Sequence, residues 1–184
     1  MRNPDFERIG KRLLAETLIG ANFGNMSVRK GDEGFFITRT GAYLDTPAEI
    51  IFVRMEGDAP QIVSSEYRVH RAVYQKSQHA AIVHAHPPYA VAVSLVLDEV
   101  IPKDNEGGMF CPIIRVVKGR PGTDELAERV VQGLKFAPVV IARGHGTFAA
   151  GKTLDEAYVL TSLAEHSCRV LILFEGFRQK QKNK

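Results

Sequence analysis

Three of the six histidines in this chain stand where apolar segments end. His84 and His86 are separated by one residue and directly follow Ala80-Ala-Ile-Val83. His145 lies between Gly144 and Gly146, three residues after the apolar segment Pro138-Val-Val-Ile-Ala142. In extended chain, residues i and i+2 share a face, so His84 and His86 present both imidazoles to one side. Neutral imidazole is a good zinc ligand, and three protein ligands plus an open position is the catalytic zinc pattern. Strand ends are also where an α/β sheet opens onto a ligand crevice. An HxH pair alone is common by chance. A Gly-His-Gly at a second strand end places a catalytic metal centre ahead of three unrelated surface or hydrogen-bonded histidines.

Glu66 precedes this pair in the chain and lies near the start of a helical pattern that opens at Ser64. A carboxylate beside a metal-bound substrate can shuttle a proton at a carbon next to a carbonyl. Composition alone favours a plainer role, a helix-start acid stabilised by the macrodipole. Ser64 and Ser65 offer hydroxyls and free backbone N–H groups at the same helix start, which suits an anion or simple capping. Gly24-Asn-Met-Ser27 and Thr40-Gly41 are polar and turn-like, and each alone reads as punctuation as readily as function. His70 follows Glu66 by four residues on the same helix face and reads as a supporting or structural group. His79 and His166 lie in helical patterns and receive no role.

These residues need elements to position them. Apolar spacing at Phe6, Ile9, Leu13 and Leu14 predicts a helix over 5–19, broken by Gly20 and Gly24. Segments 26–28 and 35–38 read as two strands of a hairpin turned at 30–34. Residues 50–53 form a third strand, and 64 onward a helix through Val69, Ala72 and Val73. A short strand at 80–83 runs into His84, followed by a helix over 89–97 and a strand over 113–117. Thr123-Asp-Glu opens a helix to Leu134, and a strand over 138–142 leads to Gly144-His-Gly146. Thr153-Leu-Asp-Glu156 is a capping box that starts a long final helix. Hairpins early and strand–helix alternation later predict an α/β fold: a three-layer α/β/α arrangement around a mixed, largely antiparallel sheet.

With 184 residues, 45% of them apolar and 24% charged, one domain spanning 1–184 with one core is expected. The net charge of +3 comes largely from Arg178-Gln-Lys-Gln-Lys-Asn-Lys184, expected as a frayed basic tail over 178–184. No aromatic residue is interleaved with those charges, so no nucleic-acid partner is expected. No apolar run approaches the ~20 residues of a membrane span, and the first residues lack a signal-peptide pattern. Cys111 and Cys168 stand outside any CxxC spacing, as free thiols in a reducing compartment do, and Cys168 falls in an apolar helical pattern. A cytoplasmic protein without a membrane partner is the expectation.

Taken together, Gly24-Asn-Met-Ser-Val28, Thr40-Gly41, Ser64-Ser-Glu-Tyr-Arg-Val-His70, His84-Ala-His-Pro87 and Gly144-His-Gly146 followed by Leu154-Asp-Glu-Ala-Tyr158 resemble the class II aldolase/adducin family. Within it the resemblance is strongest to the L-fuculose-phosphate aldolase-like branch, and it covers nearly the whole chain. It implies one Zn2+ per chain, held by His84, His86 and His145, with Glu66 as the catalytic carboxylate that also ligates zinc when substrate is absent. It implies that Asn25, Thr40, Gly41, Ser64 and Ser65 hold the phosphate of a sugar substrate. It further implies a homotetramer with active sites at subunit contacts. The implied reaction is cleavage of a ketose 1-phosphate to dihydroxyacetone phosphate and an aldehyde through a metal-stabilised enediolate.

The chain departs from that branch in two places. The family's aldolases carry a tyrosine after the HxH helix to protonate the leaving aldehyde oxygen, and segment 101–110 has none. They carry another in a C-terminal tail, and no tyrosine follows Tyr158 here. Asp104 and Glu106 could reach the site, although loop carboxylates are usually only solvated. Another lyase on the same scaffold, a dehydratase of the methylthioribulose-1-phosphate kind or a decarboxylase, therefore stays as an alternative. The family's epimerases carry an aspartate at the position of Glu66, and its non-catalytic adducin-like modules lack the full histidine set, so both fit less well.

Overall fold

The computed structural model describes residues 4–46 and 49–182. Helix α1 (Pro4–Ala15) is shorter than the 5–19 expected. Thr17 turns the chain into the left-handed region at φ 58°. Thr17 N–H donates to Leu14 C=O at 3.0 Å and Leu18 N–H to Leu13 C=O at 2.9 Å. That is a Schellman ending, and Leu18 is buried behind it.

Strands β1 (Asn25–Lys30), β2 (Gly34–Thr38) and β3 (Ile50–Arg54) follow as an antiparallel meander. Helix α2 (Tyr67–Lys76) begins three residues later than the Ser64 start expected, because Ser64 to Glu66 form a turn that leads into it. Strand β4 (Ala81–Ala85) carries His84 inside it rather than beyond its end. Helix α3 (Pro88–Ser94), the two-residue strand β5 (Glu99–Val100), helix α4 (Asn105–Phe110) and strand β6 (Ile114–Val117) come next. Helix α5 (Asp124–Leu134) is capped by Thr123, whose Oγ1 accepts from Leu126 N–H at 3.3 Å. Strands β7 (Val139–Ala142) and β8 (Gly146–Gly151) form a hairpin. Helix α6 (Leu154–Lys182) closes the chain, with Thr153 Oγ1 accepting from Glu156 N–H at 3.1 Å as the capping box requires.

The eight strands form one sheet in the order β3-β2-β1-β4-β8-β7-β6-β5. Every pairing is antiparallel except β6 with β7. Alternation along β4 separates the two faces: Ile82 packs under α2 and α5 with Phe35, Tyr74, Val130 and Phe148. Ala81, Val83 and Ala85 face α1 and the start of α6. Farther along the same side, α3 and α6 cover Ile114, Val139, Ile141 and Ala149. The architecture is thus the expected α/β/α layering, and complete burial of side chains such as Leu126 or Ile82 contributes about 1.5–3 kcal/mol each.

Two features of the C-terminal end bear on the sequence reading. Residues 178–182 continue α6 as helix, since Arg, Gln and Lys are good helix formers and α6 is already nucleated upstream; residues 183–184 lie outside the described residues. Helix α6 is also long and apolar enough to cross a membrane by length and composition, with a window of mean hydropathy 1.2. Leu154, Ala157, Leu160, Ala164, Cys168 and Leu171 spend that apolar face on the sheet, so α6 is a core helix of this fold.

Candidate metal centre and active site

His84 is the most firmly held of the three histidines. Its backbone lies between Asn25 of β1 and Phe148 of β8. Its ring stacks on that of Phe148, centroids 4.1 Å apart and 13° from parallel. The Nδ1 N–H donates to Thr147 C=O at 2.8 Å, which leaves Nε2 with a free lone pair. A backbone carbonyl on the far ring nitrogen is the usual way a ligating histidine is oriented. Gly24 makes the approach possible: at φ 81° a Cβ there would stand 2.6 Å from His84 carbonyl oxygen.

His86 lies just past the end of β4. Its N–H donates to Leu18 C=O at 3.0 Å, so the ending of α1 sets its backbone. The ring stacks on Phe23, centroids 5.6 Å apart. His145 occupies the three-residue tip between β7 and β8, where its N–H closes the turn onto Ala142 C=O at 3.0 Å. That tip is tied down by Arg143, which donates to Ser94 C=O at 2.6 Å and pairs with Asp98, and by Gly144 N–H on Ser94 Oγ at 2.9 Å. Gly146 allows the tip to pass β4, since a Cβ there would lie 2.2 Å from Ala85 carbonyl oxygen.

One ring nitrogen from each of His84, His86 and His145 falls within 4.8 Å of the others, and these three are the group of this kind among the described residues. The Nε2 atoms of His84 and His86 are 3.0 Å apart. Two nitrogens bound tetrahedrally to one zinc ion at ~2.0–2.1 Å would stand about 3.4 Å apart, so the His84–His86 pair needs only slight widening. Burial first, then the neighbouring histidines, hold His84 well below the ordinary histidine value. Burial lowers His86 and takes His145 down to about 4. All three rings are therefore neutral at neutral pH, the form a metal requires. The donor set, its spacing and its protonation fit a divalent ion such as Zn2+.

Glu66 is not one of this trio. It is 4% exposed, and its Oε1 accepts from Gly122 N–H at 2.9 Å, while Oε2 is buried without a partner. Burial pushes its carboxyl up to about 7, against a smaller opposing effect of the Gly122 N–H. His70, one turn later, is fully buried: Nδ1 bonds Ser27 Oγ at 2.6 Å, and Ser27 Oγ also bonds Tyr74 hydroxyl at 2.6 Å. It serves the interior, and its Nε2 has no protein partner.

The polar loop residues converge on the same region. Asn25, beside His84 in register, donates from Nδ2 to Ser64 Oγ at 3.0 Å. Ser64 Oγ also accepts from Glu66 N–H at 3.4 Å. Arg39 pairs with Val63, and Thr40 N–H donates to Ile62 C=O at 2.9 Å, which sets Thr40 and Gly41 beside the 63–65 segment. Ser65 and Thr40 are exposed, whereas Asn25 and Ser64 are buried. Asp104 is occupied elsewhere: Oδ1 caps α4 through Gly107 N–H at 2.8 Å and accepts from Ser167 Oγ at 3.2 Å.

Gly122, Thr147, Phe148 and Phe23 support the site and were not singled out by the sequence patterns. Gly119 and Gly122 around Pro121 are the one local signal for the loop that reaches Glu66.

Residues 5–172 match the Class II Aldolase and Adducin N-terminal domain. The chain is similar to L-fuculose phosphate aldolase of Methanocaldococcus jannaschii, 28% identical over 178 residues, covering 94% of this chain and 97% of that one. It is similar to L-fuculose phosphate aldolase of Escherichia coli K12, 33% identical over 177 residues, covering 89% and 80%. The fold superposes on the crystal structure of L-fuculose-1-phosphate aldolase from Thermus thermophilus with a TM-score of 0.90 at 36% identity, covering 95% and 94%. YgbL from Escherichia coli shares the fold at a TM-score of 0.83 and 20% identity. The chain belongs to the class II aldolase and adducin family.

Proposed function

We propose that this chain is a zinc-dependent aldolase that cleaves a ketose 1-phosphate of the L-fuculose 1-phosphate kind to dihydroxyacetone phosphate and an aldehyde. The observation that carries the reading is the pairing of three neutral, mutually close imidazoles with a buried carboxyl poised near neutrality. A divalent ion held by His84, His86 and His145 supplies a Lewis acid for the oxygens of the substrate. Glu66, titrating near 7, is suited both to give and to take a proton at neutral pH. In the cleavage direction it delivers a proton to the carbon left electron-rich when the carbon–carbon bond breaks. In synthesis it removes that proton from dihydroxyacetone phosphate. Its unpartnered Oε2 is the oxygen free for this work and for ligating the ion in the absence of substrate. Asn25, Thr40, Gly41, Ser64 and Ser65 take the phosphate.

The active form is read as a cytoplasmic homotetramer whose sites gain walls from a neighbour. In support, Val96, Leu97 and Ile172, 81%, 40% and 39% exposed, line a cavity of about 630 Å3 between α3 and α6. The lack of a tyrosine in 101–110 favours a second reading, another sugar-phosphate lyase such as a dehydratase or decarboxylase. Incubation with a panel of ketose 1-phosphates and phosphorylated keto acids, followed by product identification, separates the two. Dihydroxyacetone phosphate plus an aldehyde supports the aldolase; loss of water or carbon dioxide with no triose formed supports its rival.

A further inference from the structure

We propose that Glu165 of α6 is the positioning residue for His86. It acts by locking the start of α3, and the claim rests on the metal-centre reading above for its consequence. An α-helix begins with four backbone N–H positions that lack an intrahelical acceptor. In α3 these fall on Pro87, Pro88, Tyr89 and Ala90, since the first intrahelical bond runs from Val91 N–H to Pro87 C=O at 3.0 Å. The two prolines have no N–H to satisfy. The remaining two donors both go to one carboxylate: Tyr89 N–H to Glu165 Oε1 at 3.0 Å and Ala90 N–H to Glu165 Oε2 at 2.8 Å. One side chain, 75 residues away in sequence, thus completes the whole helix start.

The link to His86 is short and stiff. Glu165 is 9% exposed and Ala90 fully buried, so the Ala90 bond is shielded from water, while the Tyr89 bond is part-buried. Bonds from backbone N–H to a carboxylate are about twice as strong as neutral ones. Between Tyr89 and His86 stand only Pro87 and Pro88, whose rings fix φ; Pro87 is at −65°. His86 is therefore clamped on its N-terminal side by Leu18 C=O and on its C-terminal side by a proline pair anchored on Glu165. His84 needs no such aid, being inside a strand paired on both sides. Leu160, Ala164 and Cys168 of α6 belong to the apolar core on this side, and Arg169, which lies over the Tyr89 ring at 5.6 Å from its centroid, is the charged group that acts on the carboxylate. An apolar residue at this position would leave the Tyr89 and Ala90 N–H groups without an acceptor, so Glu165 both stabilises the start of α3 and, through its two-oxygen contact, fixes where that start lies.

The test uses the full-length protein with Co2+ alone and Zn2+ alone as probes. Glu165→Ala should weaken affinity for both ions about 10–100-fold, the usual cost of losing a group that orients a ligand. Leu160→Ala, on the same helix and in the same core, should lower Tm while leaving affinity at the parent value. Glu165→Gln keeps one acceptor oxygen and should fall between parent and Ala; it replaces the Ala variant should that one fail to fold. In the metal-free protein, the ring NMR signals of His86 should shift and broaden in Glu165→Ala or Gln while those of His84 stay put. Parent-like affinity together with unmoved His86 signals would overturn the proposal. A parent protein that binds neither ion would instead remove the metal-centre reading, and the His86 ring signals then decide the positioning claim by themselves.

Discussion

The backbone N–H of Gly122 meets Oε1 of Glu66 at 2.9 Å, joining residues 56 positions apart. Gly122 adopts φ 71°, a left-handed conformation that glycine takes without strain, and a Cβ there would press to 3.2 Å from Ser65 Cβ. The bond pins one carboxyl oxygen and leaves the other buried and free. One donor is too little to offset burial, so the carboxyl stays near 7 rather than at an ordinary glutamate value. A proton can therefore enter and leave Glu66 at neutral pH without a large energetic climb.

Purified protein should carry about one zinc ion per chain, and His84→Ala should carry far less. Removing one of three ligands leaves two imidazoles, and a catalytic zinc site needs three ligands plus an open position. Elemental analysis of both proteins decides; full occupancy in His84→Ala would rule the trio out. The variant's stability without metal should be recorded too, since the Phe148 stack is lost with the ring.

Acid should weaken the metal-free fold through His70. Burial takes its pKa down to about 3, from an ordinary value of 6.5. The folded state thus holds the neutral ring while the unfolded chain protonates below 6.5. Stability from this group is complete above 6.5 and falls as pH drops from there toward 3. One proton of difference gives a slope of about 1.4 kcal/mol per pH unit. His70→Asn retains a polar atom near Ser27 Oγ yet does not titrate. Denaturant unfolding at pH 6, 5 and 4 should show a shallower decline in the variant by about that slope. Identical slopes in the two proteins would mean His70 is not held neutral.

The parts of this architecture governed by local chemistry were readable from the chain. Thr123 and Thr153 announce helix starts because capping is settled within four residues. The trio was readable because an HxH and a Gly-His-Gly carry their own geometry. Strand β8 was not, because it is buried on both faces and its Gly146-Thr-Phe-Ala-Ala-Gly151 has no alternation to show. Helix α4 was missed for a different reason. Its Asn-Glu-Gly-Gly-Met-Phe has poor helix propensity, and it is held by the Asp104 cap and by Ser167 of α6. The Gly122–Glu66 and Glu165–Tyr89 contacts span 56 and 76 residues, a separation at which no local pattern speaks.

Phosphate recognition should run through Asn25 and Ser64. Their side chains already meet at 3.0 Å, and Asn25 lies beside His84 in register. A hydrogen bond to a charged group is worth about 1.5–3 kcal/mol, so Asn25→Ala should lower kcat/KM for a ketose 1-phosphate about 10–100-fold. The same variant should not change the residual rate with the unphosphorylated ketose. Equal efficiency of the parent on both sugars would refute a phosphate site.

Assembly should depend on the exposed apolar ends of α3 and α6. Val96→Asp places a charge on a side chain that is 81% exposed, so the monomer's own fold should tolerate it. Light scattering should show a homo-oligomer for the parent and smaller species for the variant, with a fall in activity if neighbours complete the site. A fully active parent monomer at working concentration would contradict the tetramer.

Glu66→Gln should keep the fold and the metal yet lose proton transfer. The amide is nearly isosteric, and its oxygen can still accept from Gly122 N–H. Zinc should stay, because His84, His86 and His145 provide three ligands without it. An amide cannot take up a proton near neutral pH, and loss of a general acid–base group costs about 10²–10⁴-fold in rate. The assay needs no aldehyde: dihydroxyacetone phosphate in deuterated water, with NMR following the hydrogens on the carbon beside the carbonyl. The parent should exchange one hydrogen stereospecifically, and the variant should be nearly silent while matching the parent in zinc content and Tm. Rapid exchange by the variant would assign the base elsewhere and leave Glu66 a structural anchor for the Gly122 loop. No exchange by the parent would shift the balance to the dehydratase or decarboxylase reading, in which dihydroxyacetone phosphate is not a substrate.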